Sequence, residues 1–251
     1  RVSARSSFDL LAAGLDAGKF DFAELGAFAC YGVRSQGLSP IALQGQVVIV
    51  SLEAGASDGD PVVALSGSKA YLRRLFSDRN DQSRVVLACD RSGTERVPPT
   101  LVLPRAKTRL LPVIGVVYEE LSFPGREEVV EVESSELLER ALVAATVADD
   151  SAFPIIRAED LVLMEPVANL DMAAVEHLED SLVVAEVGTE SEVFAYLKRL
   201  GGYAGPGIRI LENIGLKGSA LSVAISDEGL STDVAAIRKL FRVHGTIRKC
   251  D

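Results

Sequence analysis

Tryptophan is absent from this chain, aromatic residues make up only 6% of it, and there are just two histidines and two methionines among 251 residues. Cores must therefore be aliphatic, built from Val, Leu, Ile and Ala. The three cysteines (Cys30, Cys89, Cys250) form no CxxC, and His177 and His244 stand apart. That spacing argues against a structural zinc site and against a disulfide framework. No metal and no cofactor is expected, and the cysteines read as buried or incidental thiols of a reducing cytoplasm. No apolar run approaches the roughly 20 residues needed to span a bilayer, so no membrane partner is expected. The opening Arg1-Val2-Ser3-Ala4-Arg5 leads into a mixed acidic segment and lacks the pattern of a secretory leader.

Positive charge is scarce in one half. Residues 1–118 carry 14 Lys+Arg against 11 Asp+Glu, a net of +3, whereas residues 119–251 carry 12 against 25, a net of −13. The second half would repel DNA phosphates over most of its surface, so these residues by themselves are a poor duplex binder. Its acidity also leaves open a scaffold that binds a basic protein inducer in a salt-sensitive way.

What the chain does contain is a repeated hexapeptide. Ala70-Tyr71-Leu72-Arg73-Arg74-Leu75 returns as Ala195-Tyr196-Leu197-Lys198-Arg199-Leu200, changed only where Arg73 becomes Lys198. Short apolar runs bounded by Gly, Ser, Asp and Pro recur around it in the same order. Phe28 to Val33 corresponds to Leu142 to Val147, and Val47 to Val50 to Leu161 to Met164. Val62 to Leu65 corresponds to Leu182 to Ala185, and Val113 to Tyr118 to Val243 to Arg248. Strands every ten to twenty residues with no long helical period predict a mostly β chain of two tandem curled β domains. Insertions in the second copy are expected to hold short helices, one near Met172-Ala173-Ala174-Val175 and one near Asp233 to Arg238. The expected layout is an N-terminal arm over 1–26, a domain over 27–118, an acidic surface connection over 119–141 and a second domain over 142–251. The arm is too short for a helix-turn-helix.

The second copy begins Asp150-Ser151-Ala152-Phe153-Pro154, continues through Glu159-Asp160 into an apolar strand, and later carries Leu197-Lys198-Arg199-Leu200 and Val243-His244-Gly245-Thr246-Ile247. In order and spacing these segments resemble the LexA and phage-repressor peptidase-like family, with its Asp-Ser-Met-x-Pro, Gly-Asp, Lys-Arg-Leu and Val-x-Gly-x-Val motifs. Ala152 replaces the family's Met and Glu159 its Gly. The resemblance implies a Ser/Lys dyad, with Ser151 as nucleophile and Lys198 as base. A serine hydroxyl needs a base to take its proton, and a lysine serves only when burial leaves it neutral. Asp149 and Asp150 would oppose that neutrality if they lay close.

In the first copy the corresponding positions are Gly37 and Arg73. Glycine has no nucleophile and a guanidinium cannot take a proton, so this copy is a pseudo-peptidase. Ser39 and Lys69 lie nearby in sequence but outside the expected slots.

The resemblance implies a bacterial or phage-type transcriptional regulator or repressor, a cytoplasmic homodimer. Its DNA-binding helix-turn-helix would lie upstream of Arg1, and the residues here would provide sensing and dimerisation. Two alternatives stay open. The second copy could be an active self-cleaving peptidase that cuts the arm at Ala13-Gly14, the dipeptide type the family favours; or the chain could be a non-catalytic protein-binding scaffold. Ser151 and Lys198 also read as an ordinary turn serine and a solvated strand lysine, the reading that leans against an enzyme.

Overall fold

The computed structural model describes residues 20–90, 99–118, 120–133, 142–147, 150, 152–168, 170–188, 193–215, 219–225 and 235–248. The chain is mostly β and divides into two compact units, within Asp21–Arg140 and within Ala141–Lys249. Phe20 belongs with the second, and its N–H donates to Leu142 O at 2.7 Å.

The first unit contains β1 (Phe28–Val33), β2 (Val47–Ser51), β3 (Pro61–Ser66), β4 (Lys69–Ser77), β5 (Arg84–Ala88), β6 (Thr100–Pro104), β7 (Thr108–Val117) and β8 (Val129–Val132). Neighbouring strands run antiparallel in the order β8-β1-β2-β7-β3-β4-β5-β6. Strand β7 is the pivot. Its first half, Thr108 to Pro112, pairs with β3, and its second half, Val113 to Val117, pairs with β2. A register shift between Ile49 and Val50 lies where β7 changes partner, and such a bulge bends a strand and increases its twist. All five residues of β2 are buried, as its unbroken Val47-Val48-Ile49-Val50 run requires. Val48 and Val50 pack with Tyr31, Leu38, Val63, Leu72 and Val116 on one side of the sheet. Residues 119–133, expected as a surface connection, supply β8, which pairs with β1 (Cys30↔Val132, Val33↔Val129) as part of this unit.

The second unit contains β9 (Val143–Thr146), β10 (Leu161–Pro166), α1 (Met172–Glu176), β11 (Leu182–Gly188), β12 (Val193–Gly205), β13 (Ile208–Glu212), β14 (Leu221–Ala224) and β15 (Ala236–Ile247). Its strand order is β9-β10-β15-β11-β12-β13-β14, with β14 also touching β15 at Ala224↔Ala236. Strand β15 is the long pivot here, pairing first with β11 and then with β10, and a register shift falls between Leu163 and Met164. Helix α1 forms where Met172 to Val175 predicted a helical turn, and Asp171 caps it by accepting from Ala174 N at 2.8 Å. The second expected helix does not form across the residues described. Ala236, Ile237 and Arg238 instead open β15, where Ala236 and Ile237 pair with Gly188 and Val187. Burial of those two side chains against β11 outweighs a helical propensity that is worth only a few tenths of a kcal/mol per residue. Asp233 and Val234 lie outside the described residues.

Candidate functional site

The turn that precedes β2 has the same hydrogen bonds as the turn that precedes β10. Ser39 N donates to Gln36 O at 2.9 Å, and both Ile41 N (2.8 Å) and Ala42 N (3.1 Å) donate to Leu38 O. In the second unit Phe153 N donates to Asp150 O at 3.1 Å, and Ile155 N (3.1 Å) and Ile156 N (3.2 Å) donate to Ala152 O. The bonds Ser39-Pro40 and Phe153-Pro154 are both cis. Each turn closes on a left-handed residue, Gly45 at φ 91° and Glu159 at φ 72°, whose N–H donates to Val33 O and Val147 O respectively. Glu159 thus holds a conformation that favours glycine.

Arg73 and Lys198 occupy the same position on the neighbouring hairpin. Arg73 on β4 pairs with Val62 of β3, and Lys198 on β12 pairs with Val183 of β11. Both are buried, at 0% and 7% exposure.

In the first unit the site is a closed ionic cluster. The Arg73 guanidinium meets both Glu128 carboxylate oxygens, Nε to Oε2 at 3.0 Å and Nη2 to Oε1. Glu128 Oε2 also accepts from Leu72 N at 3.1 Å, and Arg73 Nη1 donates to Cys89 Sγ at 2.7 Å. Burial opposes the positive charge, but the hydrogen-bonded Glu128 carboxylate and the Cys89 sulfur outweigh it and hold the guanidinium above its ordinary pKa. Proton abstraction by Arg73 is ruled out all the more firmly. Gly37 does lie beside this cluster: a Cβ placed on it would be 3.1 Å from Leu72 O and 3.6 Å from Cys89 Sγ. The fold therefore brings Gly37 and Arg73 together, and neither supplies catalytic chemistry. Ser39 is buried and Lys69 is exposed at the start of β4.

In the second unit Lys198 Nζ donates to Asn213 Oδ1 and to Ser219 O, each at 3.1 Å. Asn213 Nδ2 is fixed in turn on Gly215 O at 2.8 Å. Asn213 follows β13 as Cys89 follows β5, so one structural position carries the partner of Arg73 in one unit and of Lys198 in the other. Asp150 turns its carboxylate toward its own loop, Oδ1 accepting from Ala158 N at 3.0 Å. Ser151, Asp149, Ala13 and Gly14 lie outside the described residues.

Sequence reading did not find Glu128, Cys89, Asn213 or Ser219. A buried Arg73 requires a counter-ion, but 36 acidic residues are available and only the β8–β1 pairing selects Glu128. Among the described residues no group of His, Cys, Asp or Glu is arranged to hold a metal ion, and no helix is long and apolar enough to cross a membrane. No family model, curated protein or solved structure matches this chain.

Proposed function

We propose that this chain is the sensing and dimerisation part of a cytoplasmic LexA-like transcriptional regulator. In this reading it is built from tandem peptidase-like domains, of which the first is a pseudo-peptidase. The observation that carries the reading is the shared register of buried Arg73 and Lys198 beside two turns of identical hydrogen bonding. Cationic side chains are rarely buried unless paired or functional. In the first domain Glu128 turns the base position into a structural clamp, so that domain can dimerise or bind a partner but cannot cut. DNA contact belongs to an upstream helix-turn-helix, because residues 119–251 carry a net charge of −13 (12 Lys+Arg against 25 Asp+Glu). Sedimentation of the purified chain over a wide concentration range tests the dimerisation role. A dimer is expected, and a chain that stays monomeric at the highest concentration removes that role.

A second reading is favoured by one observation, the burial of Lys198 on β12 with its Nζ reaching Asn213 Oδ1 and Ser219 O. In this reading the second domain is a Ser/Lys autopeptidase. Neutral Lys198 Nζ takes the Ser151 hydroxyl proton as Oγ bonds to the Ala13 carbonyl carbon. The tetrahedral adduct collapses, and Nζ returns that proton to the departing Gly14 amine. Water then hydrolyses the Ser151 ester, restoring the serine. Alkaline incubation followed by intact-mass measurement decides this: a cut at Ala13-Gly14 is expected from the wild type and not from Ser151→Ala. The same fragment from both would sink the dyad.

A further inference from the structure

The two units differ at one sheet edge. In the first, β1 has a neighbour on each side, β2 and β8. Alternate residues of β1 serve the two neighbours. Val33 bonds to the β2 side, its N–H donating to Gln46 O and its carbonyl accepting from Gly45 N. The next residue bonds to the other side, Arg34 N donating to Glu128 O at 2.8 Å. Glu128, one step beyond the Val33↔Val129 pair, is the residue whose carboxylate meets Arg73. In the second unit β9 takes the place of β1, and Val147 likewise bonds to Asp160 O and Glu159 N on the β10 side. Among the described residues, β10 is the one strand that pairs with β9, and its other edge carries exposed Thr146. An edge of this kind is a template for an added strand.

One contact on that edge is already made. Phe20 N donates to Leu142 O at 2.7 Å, and both side chains are buried. Leu142, Ala144 and Thr146 alternate with the residues that bond to β10, so their backbone groups share the outer edge. Continued antiparallel, as β8 meets β1, the Phe20 bond sets the register of the arm upstream, which lies outside the described residues. Gly18 would then face Ala144, Ala17 would face Ala145, Asp16 Thr146, and Leu15 Val147. Residues directly opposed in a ladder share a face of the sheet. Leu15 and Ala17 thus fall on the face of buried Val147 and Ala145, and Asp16 falls beside exposed Thr146. Gly14 comes next, at the place that Glu128 holds in the first unit. That place adjoins Lys198, which shares the register of Arg73, and a glycine leaves open the space that the Glu128 side chain fills.

We propose that residues 14–20 of the N-terminal arm dock as an added strand on the outer edge of β9 and so bring the Ala13-Gly14 bond to Lys198. The occupant is this chain's own arm, because Phe20 fixes its end to that edge and its residues match the two faces of β9. The inference deepens the autopeptidase reading, on which its consequence for cutting rests, whereas the docking itself requires no bond to break.

Residue-resolved amide exchange on the whole chain carrying Ser151→Ala, which keeps the arm intact, is the test. Docking engages the Ala144 and Thr146 N–H groups. Both should exchange at least about tenfold more slowly than in the same chain with Gly18→Pro, which removes the donor to Ala144 O. Val147 N–H, bonded to Asp160 O, should be unchanged and so reports that the unit still folds. Equal exchange of Ala144 and Thr146 with and without Gly18→Pro overturns the proposal. Protection that rises with protein concentration assigns the edge to a second copy and overturns it too. Should Gly18→Pro unfold the unit, Ala17→Cys with Ala145→Cys decides instead. Opposed residues of such a non-hydrogen-bonded pair stand about 4.5 Å apart at Cα, within disulfide reach. Mild oxidation should link them and not Ala17→Cys with Val143→Cys; no link, or equal linking of both pairs, overturns the docking. Intact mass of the unsubstituted chain separates the two ideas. Protection without a cut removes the autopeptidase and leaves the docking, and a cut without protection does the reverse.

Discussion

Substituting Glu128 by glutamine would isolate what the Arg73 clamp contributes. Glu128 is only 11% exposed and Arg73 fully enclosed, so neither charge is screened by bulk water. The glutamine keeps the shape and one oxygen, but removes the negative charge and turns an N–H₂ toward the guanidinium. Breaking a buried pair by neutralising one partner costs about 3–5 kcal/mol, because the other charge stays behind uncompensated. Cys89 Sγ still accepts from Arg73 Nη1, which places the expected loss near the low end, about 3 kcal/mol. The clamp ties β8 to β4 through Leu72 N and Arg73, so the loss should appear as local opening of β1 and β8 before the chain as a whole unfolds. Hydrogen exchange read by mass spectrometry on peptides covering 28–33 and 129–132 is the assay. At 1.36 kcal/mol per tenfold, exchange there should accelerate on the order of a hundredfold. Replacing both partners by methionine should recover most of that loss, leaving about 1 kcal/mol for the orphaned Leu72 N–H. Exchange within a few-fold of wild type in Glu128→Gln, or a double variant as damaged as the single one, would refute the reasoning.

Three further outcomes follow from individual residues. Glu159→Gly should stabilise the second unit by about 0.5–1 kcal/mol: relief of a left-handed L-residue, worth about 1–2 kcal/mol, exceeds the entropy cost of glycine. A lower melting temperature for that variant would contradict the turn geometry. Burial holds the Asp160 carboxyl above its ordinary range, against the pull of the Arg157 N–H, Arg248 and Arg157. The native state therefore keeps this proton to higher pH than the unfolded chain does. The stability it contributes is complete below the ordinary carboxyl pKa of about 3.9 and is lost as pH rises through the raised value. Asp160→Asn should accordingly compare better with wild type at neutral pH than in acid, and a pH-independent difference in thermal unfolding would exclude this. Burial pushes the Cys30 thiol up to about 11, so at pH 8 only about one part in a thousand is thiolate. Iodoacetamide labelling mapped by peptide mass should reach half-buried Cys89, beside Arg73, well before Cys30; the reverse order would count against both placements.

How much of this was legible beforehand depended on the range of the interaction. Val47 to Val50 and Leu161 to Met164 announced buried strands because an unbroken apolar run has only one use at that length. The two hexapeptides marked equivalent hairpin strands because the alternation of side chains along a strand is a local property. Met172 to Val175 likewise carried its own cap in Asp171. Ala236 to Arg238 misled because its composition is helical, and only the β11 ladder and the burial of Ile237 make it a strand.

By itself, then, the sequence determined that this protein is mostly β, that its cores are aliphatic, and that Arg73 cannot act as a base whatever surrounds it. Those properties reside in composition, in side-chain period and in the chemistry of a single guanidinium. Tertiary structure alone decided that Arg73 is clamped by Glu128, 55 positions away. It alone decided that Lys198 rests on Asn213 and Ser219, and that Arg34 Nε is buried without an acceptor. Each of these depends on which strand lies beside which, and so on the burial and desolvation that only strand pairing within each unit imposes.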